Sequence, residues 1–234
     1  MKGEEWYQAD EIAESYEAKR FSRGGRLIDR REKQAVLDAL GPVDDRDILE
    51  IACGTGRFAV MLAKAGADVV GLDVSGPMLQ QGRAKAKTAE PAGTLSLLRG
   101  DAGRLPFPDN SFDAVLAMRF FHLADTPHRF LAEMRRVSRS DVFFDTFNRF
   151  SARSIYNWAL PMGSRLYSSG EVDRLLADAG LSLVKADHDW IAPYGVYRKL
   201  PSRLASALRR ADIGVRRTPL GRPLATVSYW HARI

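Results

Sequence analysis

The chain has 234 residues, which is enough for one α/β domain with a modest insertion. Lys and Arg number 35 against 29 Asp and Glu, and the resulting net charge of +6 favours anionic ligands or surfaces but is too small for a nucleic-acid-binding tail. Cys53 is the only cysteine, which excludes an intrachain disulfide and a zinc–thiolate site. The N-terminus is polar and the chain lacks a run of about 18 apolar residues, so we expect a soluble, cytoplasmic protein.

The N-terminal region precedes the first strand-like segment and predicts a helical cap. It is charged, carries apolar residues at helical spacing, and is interrupted at Gly24 and Gly25. We therefore divide a single domain into a cap over residues 1–44, a nucleotide-binding core over 45–147, and substrate-side elements with a basic insertion over 148–234.

Strand-like apolar runs then alternate with helical segments. The predicted strands are Ile48–Ala52, Asp68–Leu72, Thr94–Leu98, Ala114–Met118 and Val142–Thr146. Helix boundary signals separate them, with Gly66 at the end of the first helix, Ser75 and Pro77 at the start of the second, and Asp125, Thr126 and Pro127 at the start of the fourth. This alternation predicts an α/β, Rossmann-like, doubly wound parallel sheet.

The last third of the chain has a different pattern. Ser168 to Gly180 predicts a capped helix, and Leu181–Ala186 a strand. A basic, helical insertion follows over Tyr197–Arg222, and Thr226–Arg233 predicts a final strand. A long excursion before a closing strand is compatible with a last strand that enters the sheet antiparallel.

The most informative motif is the glycine corner that follows the first strand. Gly54-Thr55-Gly56 begins a G-x-G-x-x-A pattern, and Asp73 lies 19 residues after Gly54. Glycines let a ligand approach the backbone, and the following helix directs its N-terminal N–H groups to the same place. The same corner serves dinucleotides and S-adenosylmethionine, so the motif alone leaves both cofactors open.

Four motifs in order carry a resemblance to a known family. They are Leu49–Gly56, Val70–Ser75, Gly100–Phe107 and Ser111–Val115. In this order the chain resembles class I S-adenosylmethionine-dependent methyltransferases, most closely the ubiquinone/menaquinone-biosynthesis type. The resemblance implies a seven-stranded sheet with an antiparallel last strand, S-adenosylmethionine as methyl donor, S-adenosylhomocysteine as product and a small-molecule acceptor.

The resemblance also assigns the residues that bind the cofactor. They are Glu50, Ala52, Cys53, Gly54, Thr55, Gly56, Asp73, Val74, Met78, Asp101, Ala102 and Met118. Glu50 is expected to receive the cofactor's ammonium, Asp73 the ribose hydroxyls and Asp101 the adenine amine. Each has a structural alternative, namely a loop cap for Glu50, a helix N-cap for Asp73 and a surface turn for Asp101. Met78 fits the adenine face or ordinary core packing.

The acceptor side is less explicit in the sequence. His122, just past the fourth strand, is the candidate catalytic base, and a packing histidine is the alternative. Tyr7, Tyr16 and Arg119 are the candidate substrate-binding residues. The basic insertion fits an anionic substrate, a peripheral membrane contact or a solvated helix face. The acceptor is therefore expected to be anionic or hydrophobic.

Other functional classes stay open or are disfavoured by specific features. Ala117-Met118-Arg119-Phe120 stands where amino-methyltransferases of nucleic-acid bases carry Asn-Pro-Pro-Tyr, so we expect no nucleic-acid partner, and no metal site is indicated. A nicotinamide-dependent oxidoreductase and a non-catalytic cofactor-binding module remain the alternatives. The sequence does not fix the oligomeric state.

Overall fold

A computed structural model describes residues 21, 24–159, 163–219 and 221–234. The strands are β1 (Asp47–Ile51), β2 (Asp68–Asp73), β3 (Leu95–Arg99), β4 (Phe112–Ala117), β5 (Ser138–Asn148), β6 (Leu166–Tyr167), β7 (Ser182–Asp189) and β8 (Val227–Arg233). The helices are α1 (Gly25–Leu40), α2 (Arg57–Lys64), α3 (Gly76–Lys87), α4 (Pro127–Val137), α5 (Arg153–Tyr156), α6 (Ser169–Asp178), α7 (Tyr194–Lys199), α8 (Ser202–Arg216) and α9 (Gly221–Leu224). Single 3-10 turns occupy Phe121–Leu123 and Asn157–Ala159.

The sheet has the order β3-β2-β1-β4-β5-β8-β7. Strands β1 to β5 pair in parallel, and β8 enters antiparallel between β5 and β7. The doubly wound fold with an antiparallel last strand is thereby confirmed. The parallel strands end at one edge of the sheet, where β1 and β4 border each other, and ligands of such sheets bind at this kind of edge.

Two strands differ from the sequence prediction. Strand β5 is longer than predicted, because α4 passes directly into it at Ser138 and β8 pairs along it from Asp141 to Phe147. The length of β5 was underestimated from the sequence because the strand contains the polar residues Asp141 and Asp145. Both are buried in the structure. The two-residue strand β6 was not predicted; it pairs with the end of β5, at Phe147 and Asn148.

The helix boundaries agree with the predicted caps. The hydroxyl of Ser75 accepts a hydrogen bond from the backbone N–H of Met78 at 3.3 Å, and that of Ser168 accepts one from Glu171 at 3.2 Å. Pro127 is the first residue of α4. Within the described ranges, no helix combines the length and apolar character needed to cross a membrane.

A buried carboxylate connects the N-terminal helix α1 and the basic insertion to the sheet. Asp189 of β7 is fully buried and accepts hydrogen bonds from Arg31 of α1 at 2.7 Å and from Arg209 of α8 at 2.6 Å. Arg216 lies 3.3 Å from the same carboxylate. The basic insertion is helical, as predicted, and two of its arginines neutralise an internal charge instead of facing solvent or a ligand.

A second buried carboxylate lies on the same sheet, near the start of β5. Asp141 contacts the ring of His231 at 2.7 Å and accepts hydrogen bonds from Arg233 at 2.9 Å and Arg46 at 3.0 Å. Burial alone would raise the pKa of Asp141, but the bonds from Arg233, His231 and Arg46 lower it to about 2. This cluster holds two segments against β5, namely β8 and the loop that carries Arg46 and leads into β1.

Candidate active site

The glycine corner joins β1 to α2 through three residues with positive φ. Gly54 and Gly56 have φ of 55° and 68°, and Ala52 has φ of 52°. Glycine adopts this region readily, whereas an L side chain is strained there by about 1 kcal/mol or more. Among the described residues other than its two chain neighbours, no atom lies within 4 Å of the position that a Cβ on Gly54 would occupy. The backbone at Gly54 therefore faces open space, as close approach of a ligand requires.

Asp73 holds this corner to the end of β2. Its Oδ2 accepts a hydrogen bond from the N–H of Gly54 at 2.7 Å, and its Oδ1 accepts one from Ser75 at 2.8 Å. Burial raises the pKa of Asp73, while the bonds from Ser75 and Gly54 oppose the rise. Ser75 is the N-cap of α3, so the helix-cap alternative for Asp73 is wrong.

Glu50 lies beneath the corner and is 2% exposed. Its Oε2 accepts a hydrogen bond from the N–H of Ala59, in the first turn of α2, at 2.7 Å. Burial raises the pKa of Glu50 to about 8. The structure thus shows the backbone-capping contact that was the alternative for Glu50, and its contact with the cofactor's ammonium stays a prediction.

Three other predicted cofactor residues have their side chains directed into the protein. Cys53 is buried, and burial raises the pKa of its thiol well above the usual range, so the thiol stays protonated. The hydroxyl of Thr55 accepts a hydrogen bond from Lys85 at 3.2 Å. Met78 is 2% exposed, which fits the core-packing alternative. For Cys53 and Thr55, only the backbone is left to line a ligand.

A shallow, open cleft adjoins the corner. Its walls come from the ends of β1 and β2, the loop after β3, the segment after β4, and α4. They consist of Ala52, Leu72, Asp73, Val74, Gly100, Asp101, Ala102, Phe120 and Phe130. Five of these were predicted. The rings of Phe120 and Phe130 meet edge to face with centroids 4.8 Å apart.

Four residues of the cleft were not predicted, and they differ in whether their position in the sequence could have indicated them. Leu72 and Gly100 adjoin predicted residues in the chain, and Phe120 directly follows the fourth strand, so position could have found them. Phe130 lies in the middle of α4, where nothing local separates it from a core residue.

The loop after β3 is held by α4. The Oδ1 of Asp101 accepts a hydrogen bond from the N–H of Gly103 at 2.7 Å, which makes the turn self-supporting. Arg129 of α4 donates to the carbonyl of Gly103 at 2.8 Å and lies 3.5 Å from the Oδ2 of Asp101. Asp101 is exposed beside the cleft. Arg129 supports the predicted adenine contact and was missed by the sequence reasoning.

The acceptor-side residues meet around one buried ring. Phe147, at the end of β5, has the ring of His122 at 5.1 Å and the guanidinium of Arg119 at 4.5 Å from its centroid. The same guanidinium lies 4.9 Å from the ring of Tyr194. Arg119 has φ of 62°, and its N–H donates to the carboxylate of Asp145. Positive φ directly after β4 directs this segment across the edge of the sheet.

The other predicted residues here divide into two groups. Met118 is 4% exposed and packs in the core, so its backbone is what can face the cofactor. Tyr7 and Tyr16 lie outside the described residues. The structure therefore brings Arg119 and His122 together, and the substrate-binding roles of Tyr7 and Tyr16 stay predictions.

The chemistry of the cleft fits S-adenosylmethionine. Asp73, the predicted partner of its ribose hydroxyls, lies at the end of the second strand, and each of its oxygens accepts a backbone N–H bond. Phe120 and Phe130 give the cleft an apolar wall beside Asp101, and the contact of Asp101 with adenine stays a prediction. In the described part of the chain, His, Cys, Asp and Glu form no cluster that could hold a metal ion.

Comparison with known proteins agrees with this geometry. A family model described as a methyltransferase domain matches residues 49–144. Demethylmenaquinone methyltransferase of Renibacterium salmoninarum is 34% identical over 200 residues, which cover 78% of this chain and 81% of that protein. Demethylmenaquinone methyltransferase of Geobacillus kaustophilus is 43% identical over 112 residues, 46% of this chain and 47% of that protein.

Solved structures resemble the whole chain in fold. A SAM-dependent methyltransferase of Thermotoga maritima, described as a possible histamine N-methyltransferase, has a TM-score of 0.66 at 19% identity. The match covers 97% of this chain and 99% of that protein. Magnesium protoporphyrin IX methyltransferase of Synechocystis, with bound SAH, has a TM-score of 0.63 at 12% identity, with 90% and 83% coverage. The nicotinamide alternative finds no support among these relatives. The chain belongs to the S-adenosylmethionine-dependent methyltransferases, in the family that includes the demethylmenaquinone methyltransferases.

Proposed function

We propose that this methyltransferase methylates a hydroxylated aromatic ring of the quinol type. The observation that carries the proposal is the contact of His122 and Arg119 with the ring of Phe147. These residues follow the carboxyl ends of their strands, as does the glycine corner that is bonded to Asp73. An aromatic wall with one titratable side chain suits an acceptor that is planar and loses a proton on methylation. The relatives named as demethylmenaquinone methyltransferases support this choice.

The residues have distinct roles in the proposed reaction. S-adenosylmethionine supplies a methyl group that is already activated by its positive sulfur. Asp73 and Asp101 fix the two ends of the nucleoside, and Gly54 allows close approach of the backbone. The protein then has to orient the acceptor and exclude water, and the ring of Phe147 is the proposed wall against which the acceptor is held. His122 is the proposed base for the acceptor hydroxyl, with its ring oriented by Phe147.

Binding of the donor is the first test. Isothermal titration should detect S-adenosylmethionine and S-adenosylhomocysteine, and Asp73→Ala should weaken both by about 10- to 100-fold, as expected for loss of hydrogen bonds to a charged group. Asp178→Ala, on the exposed side of α6, is the matched control and should leave affinity unchanged. Equal affinities for the two variants, or no binding by the unaltered protein, would remove the basis of the proposal.

Turnover is the second test. Transfer of labelled methyl should be measured with hydroquinone, phenol, amine and lipid acceptors. Hydroquinone-type acceptors should be methylated fastest, and His122→Ala should lower kcat more than it raises KM. Donor binding without transfer to any acceptor would instead favour a non-catalytic cofactor-binding module.

The remaining expectations stay proposals with their own measurements. Limited proteolysis tests the division at residues 44 and 147. Cell fractionation tests a cytoplasmic location, and vesicle sedimentation tests peripheral contact with membranes. Arg209 and Arg216 are engaged by Asp189, so any membrane contact by the basic insertion has to use its other arginines.

A further inference from the structure

Arg153, on the short helix α5, extends its guanidinium toward the acceptor-side ring. Its guanidinium carbon lies 3.8 Å from the centroid of Phe147, the ring that also contacts Arg119 and His122. One terminal nitrogen donates to the hydroxyl of Ser164 at 2.7 Å. Its Nε is enclosed and has no hydrogen-bond partner among the described residues. Arg153 therefore lies where the acceptor is expected.

The charge of Arg153 is not balanced within the described part of the chain. No Asp or Glu described there forms an ion pair with it, and its neighbours Arg119 and Arg198 carry the same charge. Burial, Arg119 and Arg198 lower its pKa to about 10, even though the hydroxyl of Tyr156 stabilises the cation. At neutral pH the guanidinium is still positive.

Other enclosed arginines of this protein are neutralised. Arg31 and Arg209 lie 2.7 Å and 2.6 Å from the carboxylate of Asp189, and Arg57 lies 2.7 Å from that of Glu32. Enclosing a charge without a counter-charge is unfavourable, and a ligand of opposite charge would relieve that cost. Arg153 differs from these three arginines in having no carboxylate beside it among the described residues.

We infer that Arg153 binds a carboxylate carried by the methyl acceptor, which makes the acceptor a hydroxyaromatic acid. This inference rests on the proposed function. A carboxylate accepts two parallel hydrogen bonds from a guanidinium, and the planar pair can stack on an aromatic ring such as Phe147. The hydroxyl-bearing ring of the same molecule would then extend toward His122 and the donor cleft.

Matched probes test the charge preference directly. We would titrate 2,5-dihydroxybenzoate and 2,5-dihydroxybenzamide into the protein saturated with S-adenosylhomocysteine, following heat and the Nε–Hε resonance of Arg153. The acid should bind about 10- to 100-fold more tightly than the amide and shift that resonance saturably. Arg153→Gln should abolish the difference, and Arg153→Lys should restore part of it.

Arg149→Gln is the control, because Arg149 lies on the same segment but is exposed and pairs with Glu171 at 3.0 Å. It should bind both probes as the unaltered protein does. Equal affinity for acid and amide, a preference that survives in Arg153→Gln, or no binding of the acid would each overturn the inference.

Stability separates this role from a merely structural one. If Arg153 is kept for a ligand, Arg153→Gln removes a buried charge and should leave the melting temperature of the free protein unchanged or higher. A lower melting temperature than that of Arg149→Gln would mean that the guanidinium serves packing, and the inference would fall. The proposed function fails by a different result, namely absence of S-adenosylhomocysteine binding, or absence of methyl transfer to both 2,5-dihydroxybenzoate and neutral hydroquinone.

Discussion

The carboxylate of Glu50 lies 2.7 Å from the backbone nitrogen of Ala59, so the strand before the glycine corner is bonded to the helix after it. This contact sets the width of the corner independently of any ligand. It also places a carboxyl group with a pKa of about 8 beneath the donor cleft, where a positive ligand would favour its ionised form.

Glu50→Gln should change both stability and its dependence on pH. The ordinary pKa of this group is 4.5 and the folded value is about 8, so the folded protein keeps a proton that the unfolded chain releases in this range. The free energy of unfolding should therefore fall as the pH rises from 4.5 to about 8. Urea unfolding across this range should show a flatter profile for Glu50→Gln. Parallel profiles for the two proteins would contradict the burial argument.

Ala52→Gly should stabilise the protein. Ala52 has φ of 52°, which strains an L residue, and the relief should exceed the extra chain entropy of glycine by about 0.5 kcal/mol. Ala84→Gly, on the exposed face of α3, is the control and should cost about 1 kcal/mol, because its backbone is helical. The two changes in melting temperature should have opposite signs; a loss of stability at both positions would show that the corner is not strained.

Arg129→Ala should weaken donor binding without slowing the chemical step. The side chain fixes the carbonyl of Gly103 at 2.8 Å and so orients the loop that carries Asp101. We expect an increase of about 5-fold in the Kd for S-adenosylhomocysteine, and a kcat within a factor of about 2 at saturating donor. Arg104→Ala, exposed on the same turn, should change neither value. A large fall in kcat for Arg129→Ala would place this residue in the reaction itself.

Asp141→Asn should destabilise the protein at neutral pH and not in strong acid. The folded pKa of Asp141 is about 2 and its ordinary value is 3.8, so the carboxylate contributes stability above 3.8 that is lost as the pH falls through about 2. The free energy of unfolding should drop by about 2 kcal/mol at neutral pH. Asp109→Asn, whose side chain is 69% exposed, should change it by less than about 0.5 kcal/mol. A constant difference at all pH values would argue against the ion cluster as the cause.

The cofactor side of the site could be predicted from the sequence because neighbouring parallel strands carry it. Gly54 and Asp73 follow consecutive strands that pair directly, so their spacing along the chain reports their closeness in space. Arg129 and Phe130 lie on α4, which packs against the site. No local sequence pattern indicates which face of that helix contacts the cleft.

The acceptor side depends on contacts between distant segments. Arg153 meets Phe147 only because the chain turns back after β5, on a four-residue helix too short to leave a periodic signal. The two-residue strand β6 was missed for the same reason. Pattern reasoning thus recovered the doubly wound sheet with its antiparallel last strand and five of the nine cleft residues, and missed the residues that depend on irregular turns.

The carboxylate of Asp189 also has a consequence for how the chain folds. Arg31 reaches it across 158 residues of sequence, so this polar contact of α1 forms only after β7 has been made and has joined the sheet. During synthesis Asp29 and Glu32 of α1 can pair early with Arg57 of α2, whereas the contact with Asp189 has to wait for most of the polypeptide. A truncation that removes β7 and α8 should release the opposite end of the protein as well, and protease cleavage near α1 would record it.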